Sequence, residues 1–395
     1  MTRLVLGIEA LTGQGWTGGG IYIRNLMATL ATLPEDEQPQ VRLLGVSDPD
    51  DPAVAALRSF PFVDADPLLR RRESRPRRLL RRVARRLLGG LPALDPLYAG
   101  LDVTYPTFGS PVSGAAPVHW VPDFQHKHLP HLFTQQELAA RDAGLAALAG
   151  QRVTLVLSSE AARGDFERFC PGAAVRLRVW PFVSQPPAGD GSDPRAEFGL
   201  PDRYLYLPNQ FWVHKNHITA FRALARLAAQ GEAPVLVCTG LEQDHRDPEH
   251  PRRLRHFLAE HGLEGHVRML GLVAREKQVE IFRHAALVLQ PSLFEGWSTV
   301  IEDAKALGRP ILASDLAVHR EQLTPQASVA PFGFFPPQDD AALADAIAGL
   351  WPSLAQAPDP GLEKAALALT IERQRAAARA FLDILREAVA AFRSR

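Results

Sequence analysis

Cysteine is nearly absent from the 395-residue chain, where Cys170 and Cys238 are the only two. That excludes a disulfide framework and a cysteine-based zinc site, and it fits a reducing compartment, here expected to be the cytoplasm. Net charge is missing as well, since 44 Lys and Arg balance 44 Asp and Glu. A chain basic throughout to coat nucleic acid, or one with an acidic disordered tail, is thereby excluded. No stretch reaches the roughly 18 uninterrupted apolar residues of a membrane span, and the apolar run in MTRLVLGIEALTGQG is too short for a signal peptide. Repeats of fixed period are lacking too. What is there, 46% hydrophobic and 22% charged, is an ordinary globular mixture. The length suggests about two or three domains.

Short apolar runs alternate with helical patterns along most of the chain. Leu4–Glu9 and Val41–Val46 read as strands buried on both faces, with a glycine-rich turn at Gly13–Gly20 and helical periodicity from Ile21 to Leu33. Further apolar runs lie at Val103–Tyr105, Val118–Val121 and Thr154–Leu157. From Trp180 to Pro201 the texture turns to Pro, Gly, Asp and Ser, the composition of a linker. Strand and helix patterns then resume from Tyr204 to Ala313, and an Ala-, Leu- and Arg-rich helical tail closes the chain at Glu363–Arg395. The pattern predicts an α/β protein of two similar domains with parallel sheets facing across a cleft. The expected division is 1–180, a linker at 181–200, a second domain at 201–375, and a C-terminal helix at 376–395 packing back on the first domain.

Four places carry candidate chemistry. In the first, Gly13, Gly15 and Gly18 satisfy G-x-G-x-x-G, and glycines let backbone approach a phosphate at a helix N-terminus. A dinucleotide fold would use Asp48 for the ribose, but that acid comes about 30 residues after the glycines instead of the usual ~20. A plain flexible turn is the bland alternative. The second place follows a buried strand: HWVPDFQHKHLP at 119–130, where Asp123 or His126 can meet a substrate hydroxyl or a developing charge. His119, His126, His128 and His131 lack the spacing of a metal site, and a solvated polar loop is the competing reading. The third is Asn209–His217, where Lys215 would add a full charge to a helix N-terminus, a sound arrangement for a diphosphate. The fourth is PSLFEGWSTVIEDAKALGRP at 291–310. There a strand ends in a Glu-Gly turn and a helix begins near Ser298 or Thr299, whose backbone N–H groups can hold a phosphate. Glu302 also fits a capping box with Thr299.

Taken in order, these residues resemble the retaining glycosyltransferases of family 4, the group 1 transferases of GT-B fold. The resemblance spans most of the chain and is strongest from about Tyr204 to Gln322. Its carriers are the glycines at Gly18–Gly20, PDFQHKHLP at 122–130, HKNH at 214–217, the segment 291–310 and SDLAVHREQ at 314–322. It implies a nucleoside-diphosphate sugar bound by the second domain, an acceptor bound by the first, retention at the anomeric carbon, and no metal or other cofactor. Lys215, with His214, would neutralise the donor diphosphate. Glu302 would accept the ribose hydroxyls, and Glu295 would contact the transferred sugar. Gly296, Trp297, Ser298 and Thr299 would supply backbone donors, Gly271 and Val273 would frame the base, and Gly19 and Gly20 would approach the donor from the first domain. Asp123 and His126 occupy the region that faces the sugar. The family's glutamate pair usually has seven residues between its members, whereas Glu295 and Glu302 have six, read here as the shortened turn of an EGWST branch. The arginine that commonly precedes the phosphate lysine is absent, with Asn209 and Gln210 near its place.

Between Arg70 and Arg86 arginines crowd one side of an amphipathic pattern, suited to an anionic membrane or an anionic acceptor. No nucleic-acid recognition motif accompanies them. Asp64-Ala65-Asp66 resembles the metal-binding pair of the other main transferase fold, but sits in a proline-flanked loop far from the nucleotide-like motifs. The sequence thus predicts a retaining, metal-independent hexosyltransferase acting on a saccharide or lipid-linked saccharide, in bacterial surface polysaccharide or lipopolysaccharide synthesis. It would be cytoplasmic or peripheral at the inner face of the membrane. An epimerase or phosphorylase on the same fold, an NAD-dependent oxidoreductase using the Gly13–Gly18 loop, and a non-catalytic nucleotide-sugar-binding protein are the alternatives.

Overall fold

The computed structural model describes residues 3–11, 17–46, 48, 50–64, 100–108, 114–354 and 358–395. Among them, short apolar runs form two six-stranded sheets. The first contains β1 (Val5–Glu9), β2 (Gln40–Leu44), β3 (Val103–Tyr105), β4 (Ala116–Val121), β5 (Thr154–Leu157) and β6 (Arg176–Val179), in the order β2-β1-β3-β4-β5-β6. The second contains β7 (Leu205–Leu207), β8 (Leu236–Cys238), β9 (Val267–Met269), β10 (Leu287–Gln290), β11 (Ile311–Ser314) and β12 (Phe332–Phe335), in the order β12-β11-β10-β7-β8-β9. Every pairing is parallel. Parallel neighbours need crossovers, and among the described residues helices supply most of them.

This is why the strands show no in-out alternation of polarity. Leu205 and Leu207 enter the core on one face of the second sheet, and Tyr204 and Tyr206 enter the core on the other. In each sheet the strand order reverses beside the first strand, so the loops leaving β1 and β3, and those leaving β7 and β10, diverge. Such a reversal opens a crevice at the carboxyl ends of the strands.

Two helices depart from the sequence expectation. The glycines Gly18–Gly20 do not form a turn; they lie in the first turn of the helix Thr17–Ala31, and the preceding Gly13–Trp16 fall outside the described residues. Glycine costs helix stability, but tertiary packing of Tyr22, Ile23, Leu26 and Met27 into the core overrides it. At the other end one helix runs unbroken from Pro360 to Arg393, spanning the helical tail expected at Glu363–Arg395 and starting sixteen residues before the domain boundary placed at 376. Asp359 caps it by accepting the N–H groups of Gly361 and Leu362, and Pro360 sits at its first position, where a missing N–H is harmless.

At ~1.5 Å per residue that helix is about 50 Å long, enough to run past both sheets. Its first half meets the helix Thr299–Ala306, while Phe381, Leu382 and Leu385 enter the core of the first sheet. Trp180, at the end of β6, donates its indole N–H to the Ala377 carbonyl at 2.8 Å. The expected linker is not wholly irregular: Asp193 caps a short helix at Pro194–Phe198. Asp64 is engaged by Gln40 and Arg42 at edge strand β2. Ala65, Asp66 and the Arg70–Arg86 stretch lie outside the described residues. No helix among the described residues is long and apolar enough to cross a membrane.

Candidate functional site

The carboxyl ends of both sheets open onto one cleft of about 1340 Å³. From the first sheet, Asp123 follows β4, Ser158 follows β5 and Phe182 follows β6; from the second, Asn209 follows β7, Thr239 follows β8 and Glu295 follows β10. The helix Thr17–Ala31 contributes Gly18, Ile21, Tyr22 and Asn25, a set at i, i+3, i+4 and i+7 that shares one helical face.

On the floor, Lys215 Nζ lies 2.6 Å from Glu295 Oε1, and both side chains are mostly buried. The same oxygen accepts from Gln290 Nε2 at 2.9 Å and Ser292 Oγ at 2.8 Å. Asn209 Nδ2 in turn holds Gln290 Oε1 at 2.8 Å. One carboxylate oxygen is thus fixed by three donors. Lys215 is not at the N-terminus of the following long helix, as the sequence suggested. It ends a one-turn helix, Val213–Lys215, and the left-handed Asn216 (φ 58°) intervenes before the helix His217–Ala229. His214 beside it is buried, and burial, helped by the Lys215 charge, holds its imidazole well below the ordinary pKa, so it is neutral.

The turn after Glu295 enters the helix Thr299–Ala306. Its cap is Ser298, whose Oγ accepts the Ile301 N–H at 3.3 Å; the Thr299–Glu302 capping box does not form. Residues 296–299 line the cleft, and the helix that starts at Thr299 has its N-terminus there. Glu302 does not face the cleft. It is 1% exposed, with Oε1 accepting from Lys305 at 2.6 Å and Gln322 at 3.2 Å, and Oε2 from Arg373 at 3.0 Å. Burial opposes its charge, but Lys305 and Arg373 prevail and hold the carboxyl below its usual pKa. For Lys305, burial prevails and pulls it down to about 8.

One residue later, about 100° around the helix, Asp303 lines the cleft instead. Its Oδ2 accepts from Arg275 at 2.6 Å and its Oδ1 from Ser184 at 2.6 Å. Burial disfavours the Arg275 cation, but Asp303 outweighs that and raises its pKa. Sequence reasoning named neither residue. Asp303, not Glu302, is the acid that leaves seven residues between itself and Glu295, so the signal was present, and choosing the better-matched side chain type obscured it.

The remaining candidates divide. Asp123, Gly296, Trp297, Ser298, Thr299, His214 and Val273 line the cleft. His126 is not among its lining residues; it is buried 3.2 Å from Asp142 and edge-on to Phe133, and burial keeps its imidazole pKa low. Gly19 and Gly20 are in the helix, with Gly18 alone of the three on the wall. Gly271 takes a left-handed φ of 68° to turn the chain and presents Leu272 and Val273 to the cleft without lining it. Asp48 accepts the Asp50 N–H and is likewise not on the wall.

The two walls touch. A Cβ on Gly296 would lie 2.1 Å from the Pro122 carbonyl oxygen and 3.1 Å from Asp123 Cβ, so only glycine fits. Trp297 Nε1 donates to the Phe182 carbonyl at 2.9 Å, and Arg246 lies over the Phe133 ring, 4.2 Å from its centroid.

Residues 195–351, which carry the second sheet, match the family model described as glycosyl transferases group 1. No curated protein matches the chain. Solved structures superpose over nearly the whole of it. A sucrose-phosphate synthase from Thermosynechococcus elongatus shares 19% identity at a TM-score of 0.65, covering 98% of this chain and 100% of that one. HepE from Anabaena, in complex with UDP and glucose, shares 16% at 0.59, covering 100% of both. A glycosyltransferase from Rickettsia africae shares 12% at 0.62, covering 98% of this chain and 99% of that one. The fold is GT-B.

In this GT-B cleft the Glu302 cluster and the Gly296 contact have separable consequences. Replacing Glu302 by Gln leaves Lys305 and Arg373 without a counter-charge, a loss of about 3–5 kcal/mol at pH 7. Because the folded-state pKa is lowered, the wild-type advantage is fully present above the unfolded value near 4.5 and is lost progressively as pH falls from there through the lower folded-state value. Urea unfolding of wild type and Glu302→Gln from pH 7 to 3 should show the gap closing. Gly296→Ala forces the walls apart. It should lower the midpoint of thermal unfolding by at least about 2 °C relative to wild type, read by calorimetry.

Proposed function

We propose that the protein is a retaining, metal-independent glycosyltransferase that moves a sugar from a nucleoside-diphosphate donor to a saccharide or lipid-linked acceptor. The observation that carries this reading is the juxtaposition of Lys215, Glu295 and the N-terminus of the helix Thr299–Ala306 on one wall with Asp123 on the other. The leaving group is a nucleoside diphosphate, and its charge can be received by the Lys215 ammonium and the N–H groups at the start of that helix. Donor entry then requires Lys215 to exchange Glu295 for phosphate oxygens, or to hold both. Glu295, pinned at one oxygen by Gln290 and Ser292, keeps its orientation in either case and can accept a hydroxyl of the transferred sugar.

Asp303, which lines the cleft where Glu302 does not, would accept the ribose hydroxyls, and Leu272 and Val273 would frame the base. Arg275, held by Asp303, is the nearby cation in a chain that lacks the usual arginine before Lys215. Asp123 makes no ion pair among the described residues and caps only the Gln125 N–H. It is the side chain best placed to meet an acceptor hydroxyl or the developing positive charge of the sugar. Residues 1–180 would bind the acceptor and 201–375 the donor. The HepE structure, in complex with UDP and glucose, supports a uridine nucleotide as the first donor to try. A bacterial surface polysaccharide or lipopolysaccharide pathway, with the enzyme at the cytoplasmic face of the membrane, rests on the sequence resemblance alone.

A panel of UDP-, GDP- and dTDP-sugars tested by thermal shift, with and without EDTA, checks the reading. At least one donor should raise Tm at millimolar concentration, and EDTA should leave that rise unchanged. Lys215→Ala should weaken donor binding at least about tenfold, or ~1.4 kcal/mol. If no sugar nucleotide stabilises the protein, the donor reading fails.

A further inference from the structure

Arg246 crosses from the second domain to the first and forms no ion pair there. It lies in the segment that follows β8, where Asp244 anchors the chain twice. Asp244 Oδ2 accepts the Val213 N–H at 2.8 Å, two residues before Lys215, and its Oδ1 accepts the Arg246 N–H at 2.9 Å. The Arg246 guanidinium then reaches the first domain. Its Nη1 donates to Gln125 Oε1 at 3.3 Å, and its face covers the Phe133 ring at 4.2 Å from the centroid. Gln125 in turn donates its backbone N–H to Asp123 Oδ1 at 3.0 Å. A line of contacts thus joins the turn of Lys215 to the turn of Asp123 on the opposite wall.

Arg246 is half-buried, has no ion pair among the described residues, and its Nε is buried with no hydrogen-bond partner. Burial lowers its pKa, Arg141 adds to that, and the charges of Asp244, Glu137 and Asp123 only partly oppose it. What holds the guanidinium is an aromatic face and one neutral amide, contacts that suit a planar cation and not a lysine ammonium. The choice of partner has a consequence. An arginine paired directly with Asp123 would neutralise that carboxylate, whereas a bond to Gln125 fixes the turn and leaves the carboxylate without an ion pair. Gln125 lines the cleft beside Asp123, and Arg246 stands behind them, not among the lining residues.

We propose that Arg246 is a positioning residue: it holds the turn that carries Asp123 against the floor formed by Lys215 and Glu295, without touching substrate. That a reacting sugar lies between those groups rests on the transferase reading; the strut itself rests on the contacts from Asp244 to Asp123.

The test joins a distance to a kinetic split, both on the full chain. Spin labels at Ala147→Cys and Ala259→Cys, exposed positions on helices of the two domains, report the separation of the domains by double electron–electron resonance in a Cys170→Ser background. Arg246→Ala should shift the mean separation by more than about 2 Å. Phe133→Leu removes the ring and keeps an apolar side chain, so it should produce a shift of the same kind. The double variant should add little, because both changes break one contact. For kinetics, the substrate is whichever of UDP-, GDP- and dTDP-glucose the wild type consumes, followed by release of the nucleoside diphosphate. Arg246→Ala should lower kcat at least about tenfold, while the dissociation constant of the matching nucleoside diphosphate changes less. The proposal is overturned if Arg246→Ala leaves the separation unchanged, if nucleotide affinity falls as far as kcat, or if the two variants add in full. Should the wild type consume none of the three sugar nucleotides, the transferase reading fails and the distance measurement alone decides the strut.

Discussion

The geometry of the cleft depends on a carboxylate that never reaches it. Glu302 is clamped beneath the surface by Lys305, Gln322 and Arg373, which ties the helix Thr299–Ala306 to the long C-terminal helix and so to the core of the first sheet. A buried charge cluster is weak evidence for net stability, because desolvation offsets attraction. Its effect here is rotational. With position 302 fixed inward, position 303 must point about 100° away, into the cleft, and the N–H groups of 298–299 are aimed with it. The site is thereby held from behind by residues that never touch a ligand.

A second constraint acts from the front. Gly296 packs on the Pro122 carbonyl, Trp297 hydrogen-bonds the Phe182 carbonyl, and Ser184 hydrogen-bonds Asp303, so segments following β4 and β6 hold the turn 295–299 and the helix after it. Residues from both sheets thus line one cleft. Glu295 and Lys215 come from one wall and Asp123 from the other, and neither sheet alone assembles the set.

Much of this was legible in the chain. Unbroken apolar runs such as Thr154–Leu157 and Leu287–Gln290 could only be strands covered on both faces, and two series of them gave two parallel sheets. The Glu-Gly turn at 295–296 marked the cleft because glycine there meets a backbone carbonyl. What the sequence did not reveal were relations across space. Helix rotation decided between Glu302 and Asp303, and partners distant in sequence, Gln322 and Arg373 on one side and Arg275 and Ser184 on the other, show which way it goes. His126 read as a site residue because its neighbours are polar, yet Asp142 and Phe133, from a different helix and turn, cover it. The glycines at 18–20 looked like a loop by propensity, and core packing of the following turns made them helix.

In the proposed function a nucleoside diphosphate binds at the turn 295–299 and not at the glycine-rich start of the first sheet. A crystal structure with UDP bound tests it most directly. The account predicts the diphosphate between Lys215 and the N-terminus of the helix Thr299–Ala306, with the ribose at Asp303. Diphosphate density at the N-terminus of the helix Thr17–Ala31, with the second wall empty, would contradict it.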